Sequence, residues 1–281
     1  MDIYYILAGF LVGLLVGLTG VGGGSIMTPI LLIFFNQPAA VAVGTDLLYA
    51  AITKSVGIFT HGKLGNIDWR IVGLLAFGSV PASIVTTVYL GNMDITSESA
   101  VIAIKFWLGI ALMLTSLSVL FRSQLASLSK TGHWVSPSYA PALTIALGIT
   151  LGFLVTLTSV GAGALGVTAL LILYPKLPMS KIIGTDVAHA VPLTLVAGLG
   201  HVSLGTVDYS LLGTLLIGSI PGIWIGSHLS AKVAEHWLRL LLAIILVYVG
   251  QKLAFPEFSA FIGITLVLLV IALKQLNYGK S

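Results

Sequence analysis

Residues 13–25 read Gly-Leu-Leu-Val-Gly-Leu-Thr-Gly-Val-Gly-Gly-Gly-Ser and interrupt a long apolar run near the start of the chain. Each glycine costs a helix about 1 kcal/mol relative to alanine, so we expect the helix to break here. Inside a bilayer, a broken backbone is tolerated only where it is buried in protein or faces a watery cavity. The stretch therefore predicts a broken membrane helix with a binding place at the break.

A second copy of this stretch begins 139 positions later and reads Gly-Phe-Leu-Val-Thr-Leu-Thr-Ser-Val-Gly-Ala-Gly-Ala over residues 152–164. Further matches follow at an offset of 140, and they include Gly-Thr-Asp, Leu-Gly and Gly-Ser-x-Pro motifs. Two halves with a glycine-interrupted hydrophobic segment at corresponding positions are typical of secondary transporters, whose substrate site lies between the repeats.

The composition identifies an integral membrane protein. Of the 281 residues, 57% are hydrophobic and only 8% are charged, whereas soluble domains contain about 25% charged residues. The longest polar stretch, residues 122–138, leaves no room for a soluble catalytic domain. The net charge of +4 fits basic loops on the cytoplasmic side and does not indicate a nucleic-acid partner. The absence of cysteine excludes disulfides and thiol chemistry.

The predicted fold is an all-α polytopic membrane protein with two inverted-topology repeats. Each repeat consists of a Gly-broken re-entrant helical hairpin and three transmembrane helices, because the first run is too long for one crossing and its second arm is too short for another. Repeat 1 is 1–121, with hairpin 3–35 and spans 39–60, 67–90 and 99–121. After a cytoplasmic loop, 122–138, repeat 2 is 139–252, with hairpin 139–174 and spans 181–201, 208–229 and 237–252. An extra C-terminal span, 258–274, has no counterpart, and we expect it to cover the interface of a homodimer.

The distribution of Lys and Arg favours this topology. If both hairpins are re-entrant, ten basic residues lie in cytoplasmic connectors and only Lys252 lies outside. If each hairpin region crosses once, the counts are five against six, and the usual cytoplasmic excess disappears. Three spans per repeat is an odd number, so the second copy is inverted relative to the first. The N-terminus is then outside and the C-terminus is cytoplasmic.

The two hairpin tips are the predicted substrate site. They would meet near the midplane, where the unpaired N–H groups and the dipoles of short half-helices attract an anion. Close packing of helices through small residues is the alternative explanation of the glycines. The candidate substrate-binding residues at the tips are Thr19, Gly20, Gly22, Gly23, Gly24, Ser25, Thr158, Ser159, Gly161 and Gly163.

The repeated Gly-Thr-Asp motif lies near the start of the second element in each copy. Thr45 and Thr185 are further candidates for substrate binding. Asp46 and Asp186 have two interpretations. They occupy helix N-terminal positions as capping residues do, or one of them carries a coupling proton between water and the site.

Four more side chains are candidates for the transport pathway. Lys54 and Lys105 lie inside predicted spans, where a charge is a functional hypothesis by default, although each lies close enough to a span end to snorkel. Tyr49 and His189 occupy equivalent positions one turn beyond the paired aspartates, where they line the pathway or pack in the core. The paired His and Asp residues beside the Leu-Gly turns indicate turn anchoring rather than metal binding, so we expect no metal and no cofactor.

At these residues the sequence resembles the sulfite exporter TauE/SafE family, also described as the toluene sulfonate uptake permease family. The resemblance covers nearly the whole chain and rests on residues 17–25, 38–46 and 61–65 and on the two-copy layout. It implies a secondary transporter, expected to be an exporter, of a small sulfur-containing anion such as sulfite or an organosulfonate. It also implies a bacterial or archaeal inner or plasma membrane and no ATPase. Ala162 and Ala164 replace Gly23 and Ser25, so the two half-sites need not contribute equally.

Other functions stay open. An anion channel or an importer of the same architecture would have the same sequence features. An intramembrane hydrolase would use Ser159 with His189 or His201, but no general base has a fixed spacing to this serine, and the first copy would have no purpose. We therefore expect a transporter and not an enzyme.

Overall fold

The computed structural model describes residues 3–19, 24–95, 97–131, 135–136, 138–229 and 235–258, and every regular element in these ranges is a helix. The helices are α1 (Ile3–Thr19), α2 (Gly24–Ile33), α3 (Ala39–Lys63), α4 (Trp69–Gly91), α5 (Glu98–Thr131), α6 (Ala140–Thr158), α7 (Ala164–Leu173), α8 (Met179–Ser203), α9 (Tyr209–Leu229) and α10 (Glu235–Ala254), with a 3-10 turn at Pro256–Phe258. Five of these, α4, α5 over Glu98–Arg122, α6, α8 and α9, are long and apolar enough to cross a membrane. The predicted all-α membrane class is therefore confirmed.

Each predicted hairpin contains two helices separated by a break. Residues 20–23, between α1 and α2, lie outside the described residues, whereas the break between α6 and α7 is described. There Ser159 ends α6 with a φ of 59°, and Gly161 and Gly163 have φ values of 128° and 126°, which glycine adopts readily. The ten residues of α7 extend about 15 Å, so this helix is too short to cross a bilayer.

One predicted boundary is wrong, and one of the two interpretations of the paired aspartates is excluded. The predicted loop 122–138 is helical in its first part, because α5 continues to Thr131 through a segment without glycine or proline. Asp46 and Asp186 do not cap their own helices. Since α3 begins at Ala39 and α8 at Met179, each aspartate is the eighth residue of its helix. Apart from Phe258, the predicted span 258–274 lies outside the described residues.

The hairpin arms of the two copies pack in reciprocal pairs, with α1 along α9 and α6 along α4. In both pairs, a Cβ on the arm's glycines would come within 2.3–2.4 Å of a carbonyl oxygen of the partner helix. The glycine contacts are Gly9 with Leu215, Gly13 with Ser219, Gly148 with Leu75 and Gly152 with Ser79. These glycines serve close helix packing, as the alternative explanation predicts for this part of the repeated stretch.

The equivalent helices α3 and α8 run antiparallel to each other. Leu48 contacts Gly198, whereas Gly57, nine residues further along α3, contacts Val187, which precedes Gly198 on α8. The equivalent helices α5 and α10 also run antiparallel, as two contacts show: Gly109 with Gly250, and Ser116 with Ala243. Both pairs of equivalent helices are therefore antiparallel.

This antiparallel packing collects basic residues at one end of the helical bundle, here called the basic end. The C-terminal ends of α3 and α5 lie beside the N-terminal ends of α8 and α10. Arg122, on α5, donates a 3.7 Å hydrogen bond to Met179 Sδ at the start of α8. Lys63, Lys181 and Arg239 belong to the same end.

Candidate functional site

A cavity of about 140 Å³ is lined mainly by α3, α5, α7, α8 and α10, with one residue each from α1 and α9, and reaches the basic end. Lys54, Arg122 and Arg239 contribute three positive charges to its wall, and Asp186 contributes one negative charge. Most of the other lining residues are small or apolar. A small cavity with an excess of positive charge inside an apolar bundle favours a small anion.

The break between α6 and α7 forms part of the cavity wall through Gly163 and Ala164. Lys54 Nζ donates a 3.0 Å hydrogen bond to the carbonyl oxygen of Ala162. The Ser118 hydroxyl, on α5, donates a 2.7 Å hydrogen bond to the carbonyl oxygen of Ala164. Lys54 therefore satisfies a carbonyl group that the break leaves without a backbone partner, and Ser118 adds a side-chain bond to the first carbonyl group of α7.

Asp186 is a residue of α8, and its carboxylate lies against the first turn of α7, where an anion would be attracted. The residue is 1% exposed, and a Cβ added to Gly166 would lie 1.9 Å from its Oδ1 atom. Lys54, Arg122 and the backbone N–H of Gly163 are its favourable electrostatic partners. Within the described residues, neither carboxylate oxygen has a donor in hydrogen-bond geometry. The helix dipole favours a negative charge here, but the protein's own carboxylate already occupies the position.

Asp46 makes the equivalent approach to α2 in the first copy. It is fully buried, and the Thr28 hydroxyl donates a 2.5 Å hydrogen bond to its Oδ2 atom. The Ser159 hydroxyl, at the break of the second copy, favours the ionised form of this carboxylate, although it makes no hydrogen bond to it. Lys54 is within electrostatic reach of both aspartates. One ammonium and two carboxylates thus form a charge cluster of Asp46, Lys54 and Asp186, in which both carboxylates are buried and Lys54 is partly buried.

The threonines of the Gly-Thr-Asp motifs hold turns of the opposite copy. The Thr45 hydroxyl accepts a 3.1 Å hydrogen bond from the N–H of Asp208, and the Thr185 hydroxyl accepts a 2.9 Å bond from the N–H of Asp68. The preceding glycines let the turn backbone approach, since a Cβ at either would lie 2.5 Å or less from a carbonyl oxygen. In each motif, Gly and Thr therefore join the two copies, and Asp points to the hairpin helix.

The structure gathers only part of the predicted site around the cavity. Lys54, Gly163 and Asp186 line it, and Gly161 and Ser159 are buried in the adjoining break. The Thr158 hydroxyl is engaged inside the break, because it donates to the Leu154 carbonyl at 2.6 Å and accepts from the Val160 N–H at 3.1 Å.

In the first copy, the structure describes less of the predicted site. Ser25 is buried near the start of α2, which begins at Gly24, and Thr19 is the last residue of α1. The candidates Gly20, Gly22 and Gly23 lie outside the described residues.

The remaining candidates lie away from the cavity. Lys105 lines a separate groove with Lys252, at the end opposite the basic end. Tyr49 is fully buried, and His189 Nε2 shares a 2.8 Å hydrogen bond with the Ser79 hydroxyl. These two side chains pack in the interior and do not line the cavity.

The histidines proposed for an intramembrane hydrolase bond to other groups. His189 pairs with Ser79, as described above. His201 Nδ1 shares a 2.8 Å hydrogen bond with the Thr206 hydroxyl, and its Nε2 lies 3.0 Å from the carbonyl oxygen of Thr156. His201 therefore ties its own turn to α6, and neither histidine activates Ser159 in this arrangement.

Sequence reasoning missed Arg122 and Arg239 as cavity residues. Both lie at the ends of predicted spans, where the cytoplasmic bias of basic residues already accounts for them. Only the antiparallel packing of α5 on α10 brings two residues so distant in sequence to one wall. Their shared position at the predicted cytoplasmic face was the one available signal.

Comparison with known proteins gives sequence matches along most of the chain. The model of the family described as "Sulfite exporter TauE/SafE" matches residues 5–253. "Probable membrane transporter protein YjnA" of Bacillus subtilis (strain 168) is 40% identical over 255 residues, which are 90% of this chain and 100% of the relative. "Probable membrane transporter protein MJ0441" of Methanocaldococcus jannaschii is 28% identical over 260 residues, 87% of this chain and 92% of the relative. No solved structure matches the chain.

The match spans nearly the whole chain and confirms the resemblance seen in the glycine-rich stretch and its copy. A bundle of apolar helices with a charged cavity is consistent with the membrane transporters that the relatives are named as. On these grounds the protein belongs to the sulfite exporter TauE/SafE family of membrane transporters.

Proposed function

We propose that the protein is a secondary transporter that exports a small sulfur-containing anion, sulfite or an organosulfonate, by alternating access. The observation that carries this proposal is the cavity in which Lys54, Arg122 and Arg239 face the start of α7 inside the apolar bundle. The family's description, sulfite exporter, supports both the substrate class and the direction.

The size and chemistry of the cavity suit a compact oxyanion. A water molecule needs about 10–15 Å³ of such a cavity, so about 140 Å³ leaves room for a compact ion. Planar guanidinium groups recognise the oxygens of such ions with paired hydrogen bonds, and the lysine contributes a compact positive charge.

Alternating access is supported by the antiparallel packing of α3 on α8 and of α5 on α10. If these helices cross a membrane, equivalent helices cross it in opposite directions, as in inverted-repeat transporters. The cavity that reaches the basic end is lined by Asp186, whereas the equivalent Asp46 is absent from its lining. We assign the basic end to the cytoplasm, which puts the N-terminus outside, and in the outward state we expect access beside Asp46 instead.

Counterflow in proteoliposomes tests the proposal. Vesicles are loaded with unlabelled sulfite, thiosulfate, methanesulfonate or sulfate, and uptake of the same labelled ion is followed. A transporter gives saturable, transient accumulation of at least one sulfur anion. Linear flux without counterflow would indicate a channel, and no flux with any of the four ions would reject the proposed substrate class. Initial rates in vesicles of known protein orientation then separate export from import.

A further inference from the structure

We infer that Asp186 is a tethered competitor of the substrate anion and that it takes up a proton when the anion binds. This inference rests on the proposed function, because it requires an anion in the cavity beside Lys54. Beyond the proposed function, the inference names the residue that binds a proton, and it states that proton binding and anion binding are thermodynamically linked.

The position of Asp186 is the first argument. Its buried carboxylate lies against the first turn of α7 and is favourably placed relative to the N–H of Gly163, Lys54 and Arg122. These groups are also the ones that an anion in the cavity would use, since Lys54, Arg122 and Gly163 line it. An ionised Asp186 and a substrate anion therefore compete for the same positive groups and repel each other.

The second argument is the absence of hydrogen bonds. In the described residues, neither oxygen of the Asp186 carboxylate has a donor in hydrogen-bond geometry, although the residue is 1% exposed. The ionised form of Asp186 then depends on Lys54, Arg122 and the nearby N–H of Gly163. When an anion engages those partners, a proton on Asp186 removes the repulsion and creates an O–H donor for the anion.

Asp46 lacks this combination of features. The Thr28 hydroxyl donates a hydrogen bond to its Oδ2 atom, so only its Oδ1 atom has no donor in hydrogen-bond geometry among the described residues. Asp46 is absent from the cavity lining. It is therefore suited to remain the counter-ion of Lys54 while Asp186 changes its protonation.

The charged and titratable groups around Asp186 come from several elements. Lys54 and Asp46 lie on α3, Arg122 on α5 and Arg239 on α10, and His189 follows one turn later on α8 itself. Asp68, at the start of α4, uses its carboxylate to cap that helix at the Ile71 N–H. The sequences of α6 and α7 contain no titratable side chain. Asp186 is thus the one carboxyl group among the cavity-lining residues described by the structure.

The linkage between proton binding and anion binding acts in both directions. If protonation of Asp186 strengthens anion binding by some factor, anion binding strengthens proton binding by the same factor. For a singly charged anion, the loaded cavity gains no net charge when one proton accompanies it. The anion gradient and the pH difference, rather than the membrane voltage, then determine the direction of net transport.

Calorimetry on the purified full-length protein tests the inference with thiosulfate and methanesulfonate, which hold no proton near neutral pH. Binding enthalpies in buffers of different ionisation enthalpy report the number of protons taken up per anion. We expect uptake of between zero and one proton by the wild type. We also expect its Kd to rise with pH by at most about tenfold per pH unit, the limit for one linked proton.

Two variants test whether Asp186 is the residue that takes up the proton. Asp186→Asn should bind the anion with no proton uptake and with a Kd that does not change with pH. Asp208→Asn is the matched control, since this exposed carboxylate caps α9 through the Ser210 and Leu211 N–H groups, and it should retain full uptake. Should Asp186→Asn fail to fold, Asp46→Asn is measured instead, and the inference requires that proton uptake persists in it.

The outcomes separate the inference from the proposed function. Anion binding by the wild type without proton uptake would overturn the inference and leave the transporter intact. Unchanged uptake in Asp186→Asn, or lost uptake in Asp46→Asn, would overturn the assignment to Asp186. Absence of binding by sulfite, thiosulfate and methanesulfonate alike would instead reject the proposed substrate class.

Discussion

Lys54 on α3 and Ala162 in the break between α6 and α7 are joined by a 3.0 Å hydrogen bond from Nζ to the carbonyl oxygen, across 108 residues of sequence. The lysine belongs to the first copy of the repeat and the break belongs to the second. This bond places a positive charge at the cavity and also satisfies a backbone group of the broken helix. The site is therefore assembled from both halves of the chain.

Replacement of Lys54 should weaken anion binding. A hydrogen bond to a charged group contributes about 1.5–3 kcal/mol, so Lys54→Gln should raise the Kd for sulfite or thiosulfate by roughly 10- to 100-fold. Lys105→Gln is the control, since Lys105 lies in a different groove, and its Kd should change less than about twofold. Equal effects of both substitutions in calorimetry would contradict the assignment of the cavity.

Gly163 should be essential for transport and dispensable for membrane insertion. Its φ of 126° is strained for any L side chain, and a valine would also project at the cavity wall. We expect Gly163→Val to lose counterflow while it remains in the membrane fraction. Gly213→Val, at a position where an added Cβ would have no neighbouring atom within 4 Å, should keep wild-type rates. Normal counterflow by Gly163→Val would exclude the break from the substrate site.

The glycines that face a partner helix should determine stability. A Cβ at Gly152 would lie 2.4 Å from the Ser79 carbonyl oxygen, so Gly152→Val forces α6 away from α4. Overpacking of this kind costs about 1–3 kcal/mol, and more where backbone must move. Thermal unfolding in detergent should show a clear drop in the midpoint relative to Gly73→Val, whose Cβ meets no neighbour. Matching midpoints for the two variants would refute the packing role.

Thr185 should act on stability rather than on anion affinity. Thr185→Val removes the acceptor of the Asp68 N–H and should cost about 1–3 kcal/mol, because the partly buried donor loses its partner. Thr150→Val, an exposed threonine bonded only within its own helix, serves as the control. The Kd for the anion should stay within about twofold in both variants, since Thr185 is absent from the cavity wall. A large rise in Kd with unchanged stability would restore Thr185 as a substrate-binding residue.

Single cysteines test the inverted arrangement of the copies. The chain contains no cysteine, so Asn36→Cys and Lys176→Cys each create one reactive thiol in an exposed turn after the hairpin. A membrane-impermeant maleimide should label Asn36→Cys from outside intact cells, and Lys176→Cys only after the inner face is opened. Labelling of both from the same face would eliminate the antiparallel insertion.

The sequence by itself determined the class of the protein, the duplication, the positions of the breaks and the family. Long hydrophobic runs predict membrane helices directly. In a bilayer the backbone of a spanning segment must satisfy its own hydrogen bonds, and a helix does so within the segment. The glycines and the repeated motifs are equally local signals, and they identified Lys54, Gly163 and Asp186 as candidates before any packing was known.

Only the tertiary structure decided what these residues do. The repeated Thr side chains, predicted to bind substrate, hold turns of the opposite copy, and the aspartates, predicted as possible caps, point at the hairpin helices. Arg122 and Arg239 join the cavity because α5 packs antiparallel on α10. The physical reason is that an electrostatic site depends on distances between groups that are remote in sequence, and packing alone sets those distances.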